Sequence, residues 1–498
     1  MEVIRHSFIA HLLTLLFAWL DRTASRSMLA AWLGAVWAWL RRLYRHSLLR
    51  RLLARSSRMD ALFAQSTFGR LFSALLLLPD RLLNGSFTGT VLQPFGTALT
   101  VPVLALSSVV ILSLPYEKWN NFYALYFAVF AFLLLCLSKN RRMSLRSIGF
   151  WPLGFGILTL FSALWSQDVG ESLRFLFFAL TGMLFVLVCV NAIDSRRLLL
   201  LLSAGIAVGL LVCCGYGVYQ KIIGIAPNAH YTDLSSNADM PGRVYSFFDN
   251  PNSFANIPVL FNPLMLAMFC YAPKLWHKLL FGAAFALSAY CLIMTFTRGA
   301  WLAWLIAVFV FILIMKPRLT LWLAGILFCC IPLLPDSILN RFLTIFSGDS
   351  SINSRTPIYQ AILKLIVRHP IFGVGLGSTN LREVINQEGL YAGGAYFVHG
   401  HNLLFQICGE SGLVTLLCFL PASYFPLRSG ILAGSGKADL FTRAAAAGAV
   451  SGILGSLLFG LTDYIWSYPR IMLLYWLLFG ILLAAAALCR NEVRPTCN

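Results

Sequence analysis

A succession of apolar runs begins near residue 97 and recurs to the end of the chain. Each is long enough to cross a hydrocarbon core of ~30 Å at ~1.5 Å per helical residue. Runs of this length read as the spans of one helical bundle. Twelve are counted, centred near Leu106, Phe130, Gly156, Gly182, Val208, Leu264, Ala286, Val308, Gly325, Leu416, Gly452 and Leu477. The predicted fold is an all-α polytopic membrane bundle over residues 93–490, with a short tail at 491–498. With 11% of residues charged, against roughly 25% in soluble domains, the alternative of about three soluble domains is excluded.

The formal net charge of +19 would suit a nucleic-acid partner if it lay on one polar face. Instead the basic residues sit in clusters between apolar runs. Lys139, Arg141, Arg142 and Arg146 follow the second run, Arg196 and Arg197 the fourth, and Lys274 and Lys278 the sixth. Lys316 and Arg318 follow the eighth, and Arg428 and Lys437 the tenth. Every even-numbered exit is basic, which is the positive-inside pattern. No nucleic acid is expected as a partner, both termini are predicted to be cytoplasmic, and the long loops at 221–255 and 335–401 should face outward. The 12 cysteines lie in apolar runs or near the C-terminal tail without CxxC or Cys/His spacing, which argues against disulfides and structural zinc. The apolar stretch from His6 to Leu20 leads into basic amphipathic sequence rather than a cleavage site, so the N-terminal segment is expected to be retained.

Residues 1–92 differ from the rest. The first ninety hold twelve arginines against four acids (Glu2, Asp21, Asp60, Asp80), a net of +8, interleaved with Leu, Trp and Phe at helical spacing. Short apolar bodies with basic ends predict interfacial helices lying on anionic cytoplasmic lipid. A spanning hairpin through Leu12 to Leu40 is the alternative.

Ionisable groups outside the basic clusters concentrate in the outward loops. In "GRVYSFFDNPNSFANIPVLF", Arg243 precedes an Asp-Asn-Pro-Asn turn in which Asn250 or Asn252 can cap the sixth span; a capped turn with a snorkelling arginine is the plain alternative to a ligand site. Arg298, in "FTRGAWLAW", is placed at the outer face between the seventh and eighth spans, either as a positional anchor or as a cation held for a phosphate-bearing ligand, for which its planar fork is suited. In "INSRTPIYQAILKLIVRHPIFGVGLGSTN", Asn353 or Ser354 can cap a helix that Pro357 opens and Pro370 ends. Its Ile358, Ile362, Leu365 and Ile366 form an apolar face expected to lie along the outer leaflet, with Arg355 in the first turn. "GVGLGS" lacks the spacing of a nucleotide-cradling loop. His399 and His401 close the large loop at the mouth of the tenth span. Metal ligation would need a third ligand that the spacing does not supply; a structural histidine and a proton-handling one both remain open.

Four segments carry a family resemblance. "HNLLFQICGESGLVT" fits the O-antigen ligase motif of His, a small amide or serine, nine residues, Gly, two residues and a final Gly, Thr or Tyr at His401, Asn402, Gly412 and Thr415. "RVYSFFDNPNSFA", "TRGAWLAW" and "SRTPIYQAILKLIVRHPIFGVGLGS" resemble three further segments of the same ligase/polymerase superfamily, in the same order. The resemblance covers roughly residues 95–490 and leaves the basic N-terminal region outside.

It implies a membrane glycosyltransferase of the GT-C type in the bacterial inner membrane, acting on the periplasmic face without cofactor or metal. The implied donor is a glycan joined through diphosphate to undecaprenol, and the acceptor a sugar hydroxyl on the lipid A core, with inversion at the anomeric carbon. A polymerase passing the glycan to a second lipid-linked glycan is the alternative, and some relatives glycosylate proteins. By the same resemblance Arg243, Arg298 and Arg355 hold the diphosphate. His401 is the central catalytic residue, with Arg298 stabilising the leaving charge and Asn252, His399 and Asn402 in support. A twelve-span transporter is the reading from another class, but it would favour ionisable groups at the bilayer midplane. A structural scaffold explains the Arg/His loops least well.

Overall fold

The computed structural model describes residues 28–138, 143–145, 147–225, 242–330, 355–393 and 397–493. The chain divides into two compact units, residues 1–56 with 316–330, and residues 57–315 with 331–498.

In the first unit the described elements are α1 (Met28–His46), α2 (Leu48–Ala54) and a later helix, Leu319–Cys330. The N-terminal half of the hairpin alternative, up to residue 27, lies outside the described residues. Ser47 ends α1 and caps α2, its Oγ accepting from Arg50 N.

The second unit opens with three short helices, α3 (Arg58–Gln65), α4 (Thr67–Leu76) and α5 (Leu78–Leu83). It continues through α6 (Phe87–Ser113), α7 (Asn121–Leu137), α8 (Phe150–Ser162), α9 (Val169–Ala192), α10 (Arg196–Ile223), α11 (Pro251–Tyr271), α12 (Leu275–Met294) and α13 (Arg298–Met315). With Leu319–Cys330 counted as α14, the rest are α15 (Arg355–Arg368), α16 (Ser378–Gln387), α17 (Leu403–Gly434), α18 (Leu440–Phe459) and α19 (Pro469–Val493). All twelve predicted run centres fall inside helices. Nine of these are long and apolar enough to span among the described residues, or ten spans if one bent pair in the first ninety residues is counted, while α7 and α8 are shorter apolar helices. The predicted boundary at residues 92–93 falls inside α6. Asp60 of α3 accepts from Phe150 N at 2.7 Å and so caps α8.

Small residues set the packing of the bundle. A Cβ on Gly452 of α18 would meet Leu260 O of α11 at 1.9 Å, and one on Gly448 would meet the Leu264 Cα at 2.8 Å. The stretch "AAAAGAVSGILG" thus brings two backbones into direct contact, as small residues do between membrane helices. Asn256 Oδ1 accepts from Ser456 Oγ at 3.1 Å, and Asn262 Oδ1 accepts from Ser288 Oγ of α12.

The described part of the large loop before α17 has its own core. Ile358, Ile362 and Leu365 of α15 are buried with Leu381, Val384 and Ile385 of α16 and with Leu390 and Phe397. This corrects the expectation that α15 lies along the outer leaflet. Residues 381–390 and Phe397 supply a matching apolar face, so α15 buries its stripe against protein.

Candidate active site

Three of the loop segments singled out in the sequence meet at one end of the second unit. Arg243 Nε donates to Thr295 O at 2.7 Å, and its Nη2 donates to Asn252 Oδ1 at 2.6 Å and to Thr297 Oγ1 at 2.8 Å. The guanidinium therefore clamps the turn before α11 to the turn before α13, next to Arg298, the first residue of α13. Asn250 is the cap of α11, accepting from Asn252 N at 2.8 Å, which frees Asn252 to hold Arg243 and accept from Thr297 Oγ1 at 3.1 Å. The sequence left both asparagines open as caps; the structure separates their roles.

Gly299 follows Arg298, and a Cβ there would meet Thr462 Oγ1 at 2.7 Å. Its lack of a side chain lets the first turn of α13 approach the loop between α18 and α19. That loop carries Asp463, which the sequence reading missed. Asp463 Oδ1 accepts from Tyr464 N at 2.8 Å and lies 3.3 Å from His401 Nδ1, at ion-pair distance but without aligned hydrogen-bond geometry. The only sequence signal was an acid breaking two apolar runs in "GLTDYIW".

The motif at the start of α17 now has physical content. Asn402 caps the helix by accepting from Leu404 N and Phe405 N at 2.9 and 3.1 Å, and its Nδ2 donates to Leu461 O at 2.8 Å. Leu403 N donates to Gly460 O at 2.7 Å. Together they tie the histidine turn to the Asp463 loop. Gly412 has φ 81°, and a Cβ there would meet Ile371 O at 2.0 Å. It kinks α17 so that the chain after α15 can cross it, with Leu413 N donating to Pro370 O at 2.7 Å. Thr415 Oγ1 bonds back to Ser411 O at 2.7 Å just beyond the kink.

The turn itself is held from below. Gly400 N donates to Gln406 Oε1 at 2.7 Å, and Gln406 Nε2 donates to Glu410 Oε1 at 2.6 Å. His401 has φ 45°, a left-handed conformation uncommon for a side chain of this size. His401 N donates to His399 Nδ1 at 3.2 Å, and Tyr359 of α15 donates to His401 O at 3.2 Å. Among the described residues the non-glycine positions at positive φ are Ser246, Asp249, Phe296 and His401, all within these converging segments. Strain of this kind concentrates at functional sites.

Electrostatically the cluster is polarised. Burial lowers the His399 pKa to about 4, with the charges of His401 and Arg355 adding to the effect against that of Asp463. Burial raises Asp463, but the proximity of His401, with His399 and Arg355 beyond it, overrides that and holds the carboxyl well below the usual range. Arg355 is thus close enough for its charge to act on both groups. His399, His401 and Asp463 each offer an atom within 4.8 Å of the others, so the structure supplies the third ligand-type group that the sequence spacing did not show. The arrangement can hold a cation or carry a proton. The neighbouring Arg355 charge opposes a divalent cation more strongly than a single proton.

Beside this cluster, a cavity of about 270 Å³ opens into the bundle, lined by Phe155, Phe175, Tyr464, Trp466, Trp476 and Phe479 among others. The Tyr464 ring lies 5.7 Å from that of His399, so the cavity and the histidines share a wall. Arg470, also missed by the sequence reading, is fully buried at the start of α19. It donates to Ile111 O and Leu114 O at 2.5 Å and to Phe247 O at 3.1 Å, with its guanidinium 4.6 Å from the Trp119 and Phe248 rings. It staples the C-terminal end of α6 to the segment that carries Arg243.

Residues 283–420, which include Arg298, Arg355, His399, His401 and Asn402, match the model of the O-antigen ligase family. The chain is 25% identical over 224 residues to the ComP-specific O-oligosaccharyltransferase of Acinetobacter baylyi, covering 40% of this chain and 38% of that protein. It is 24% identical over 283 residues to the exopolysaccharide production protein ExoQ of Rhizobium meliloti, covering 54% of this chain and 62% of that one. Both matches span less than two thirds of the relative's length.

Proposed function

We propose that this chain, which matches the O-antigen ligase family over residues 283–420 and resembles two relatives named for glycan transfer and exopolysaccharide production, moves a glycan from undecaprenyl diphosphate to a sugar hydroxyl. The reaction takes place on the periplasmic face of the bacterial inner membrane, with the lipid A core as acceptor. The acceptor oxygen attacks the anomeric carbon as the bond from that carbon to the phosphate oxygen breaks, which inverts the centre. His401 takes the hydroxyl proton, and Asp463 stabilises the resulting imidazolium as the carboxylate of a Ser-His-Asp triad does. Arg298, Arg243 and Arg355 face the growing negative charge on the leaving diphosphate, so no metal is required.

The observation that carries this reading is the approach of Asp463 to His401 at 3.3 Å, within a cluster that Arg243, through Thr297, and Gly299, through Thr462, join to Arg298. The apolar cavity along Tyr464 suits a polyprenyl chain entering from the membrane.

One relative is named as an O-oligosaccharyltransferase and the other for exopolysaccharide production, and a polymerase extending a lipid-linked glycan is the second reading. Glycan analysis of a deletion strain separates them. Unmodified lipid A core with accumulated lipid-linked polymer is the ligase outcome; single-repeat caps mean a polymerase. A strain whose surface and lipid-linked glycans both match the parent's would overturn the proposal.

A further inference from the structure

The first unit contains a basic bowl of about 520 Å³ that glycan transfer does not use. It is lined by Gly34, Trp37, Ala38, Arg41, Arg42 and Arg45 of α1 and by Arg318, Leu321 and Trp322 at the start of α14. The α1 positions recur at the three- and four-residue spacing of one helix face. The small residues Gly34 and Ala38 open the space, and the arginines one and two turns later close its end. No acidic residue lines it, and none of the four guanidinium groups has an ion-pair partner among the described residues.

We propose that this bowl binds a phosphate anion carried by a membrane lipid headgroup. Four planar forks converging without a carboxylate fit phosphate oxygens, which guanidinium engages two at a time. The C-terminal end of α1 adds its partial negative charge to hold the cations there. The lipid source follows from the rest of α1. Met28, Trp32 and Trp39 are exposed at 92%, 62% and 56%, an apolar flank that water would not tolerate on this scale. The stretch from Met28 to Leu40 is ~20 Å long at ~1.5 Å per residue, comparable to an acyl chain. Beyond it lie the arginines at headgroup depth, with Trp37 and Trp322 as amphipathic rims. By helical spacing Met28, Trp32 and Trp39 lie on the face of α1 beside the bowl, so lipid packed on that face brings its headgroups to the rim of the bowl.

The test uses the full-length protein purified in detergent and native mass spectrometry with phosphatidylglycerol, phosphatidylcholine or inorganic phosphate. Phosphatidylglycerol should bind as a discrete adduct, phosphatidylcholine far more weakly, and inorganic phosphate should not displace the lipid. The Arg41→Gln, Arg45→Gln, Arg318→Gln triple variant should lose about fivefold in affinity per arginine, about a hundredfold in all. The charge-matched Arg50→Gln, Arg51→Gln, Arg55→Gln control, on neighbouring sequence outside the bowl, should change by less than about fivefold. Equal losses in the two triple variants would overturn the site, reducing it to diffuse charge attraction. Binding of inorganic phosphate as tight as that of the lipid would overturn the lipid assignment.

Discussion

Asp463 Oδ1 stands 3.3 Å from His401 Nδ1, although two membrane-spanning helices, α17 and α18, separate the two residues in the chain. The hydrogen bonds from Asn402 and Leu403 to residues 461 and 460 maintain that approach. The first prediction follows from it. Asp463→Asn should lower turnover by between about tenfold and the ~10⁴ seen when the carboxylate of a Ser-His-Asp triad is neutralised, with donor affinity little changed. Steady-state kinetics check it, and full turnover would assign Asp463 a packing role alone.

The second concerns His399, whose pKa is lowered from 6.5 to about 4 by burial first. Between those values the unfolded chain binds more protons than the folded one, so stability is present above about pH 6.5 and is lost as pH falls toward 4. Asp463, also depressed, extends the loss below the ordinary carboxylate range. His399→Gln should flatten the dependence of thermal midpoint on pH between 6.5 and 4. A slope equal to that of the parent protein would place the titrating group elsewhere.

How much of this site the sequence displayed varied with the kind of residue. Arg243, Arg298, Arg355 and His401 were legible because a charged or polar group at a break between apolar runs is conspicuous, and motif order supplied their grouping. Asp463 was not, because its partner lies across two helices and nothing in "GLTDYIW" states which loop it faces. Arg470 was hidden for a related reason: it sits one residue inside an apolar run, where it reads as a snorkelling cation, and only the three carbonyls around it reveal a staple. The helices themselves were read from run length, whereas α15 was assigned to the lipid surface because its apolar stripe was read without the partner face that α16 supplies.

A third prediction addresses the cation alternative at His399, His401 and Asp463, whose ligand-type atoms lie within 4.8 Å of one another. Transfer by protein dialysed against a chelator should equal that of untreated protein, since Arg355 already supplies positive charge there. Loss of activity restored by a divalent metal would mean the cluster works as a metal centre.

Gly412 offers a test of the fold beneath the motif. A Cβ would collide with Ile371 O at 2.0 Å and the φ of 81° disfavours other residues, so Gly412→Ala should cost more than about 1 kcal/mol. The loss should register as a lower thermal midpoint in detergent. An unchanged midpoint would show that the crossing of α17 by the chain after α15 relaxes freely.

The most direct measurement is transfer by purified His401→Ala with a lipid-diphosphate glycan donor, scored for turnover and donor retention together. Removing a general base should lower turnover by roughly 10² to 10⁴, with the protein folded and the donor retained. Arg298→Ala, by contrast, should weaken retention as well as rate, because it is proposed to hold phosphate in the ground and transition states alike. Near-normal transfer by a folded His401→Ala variant would contradict the account, and an inactive His399→Ala beside it would move the base two residues upstream.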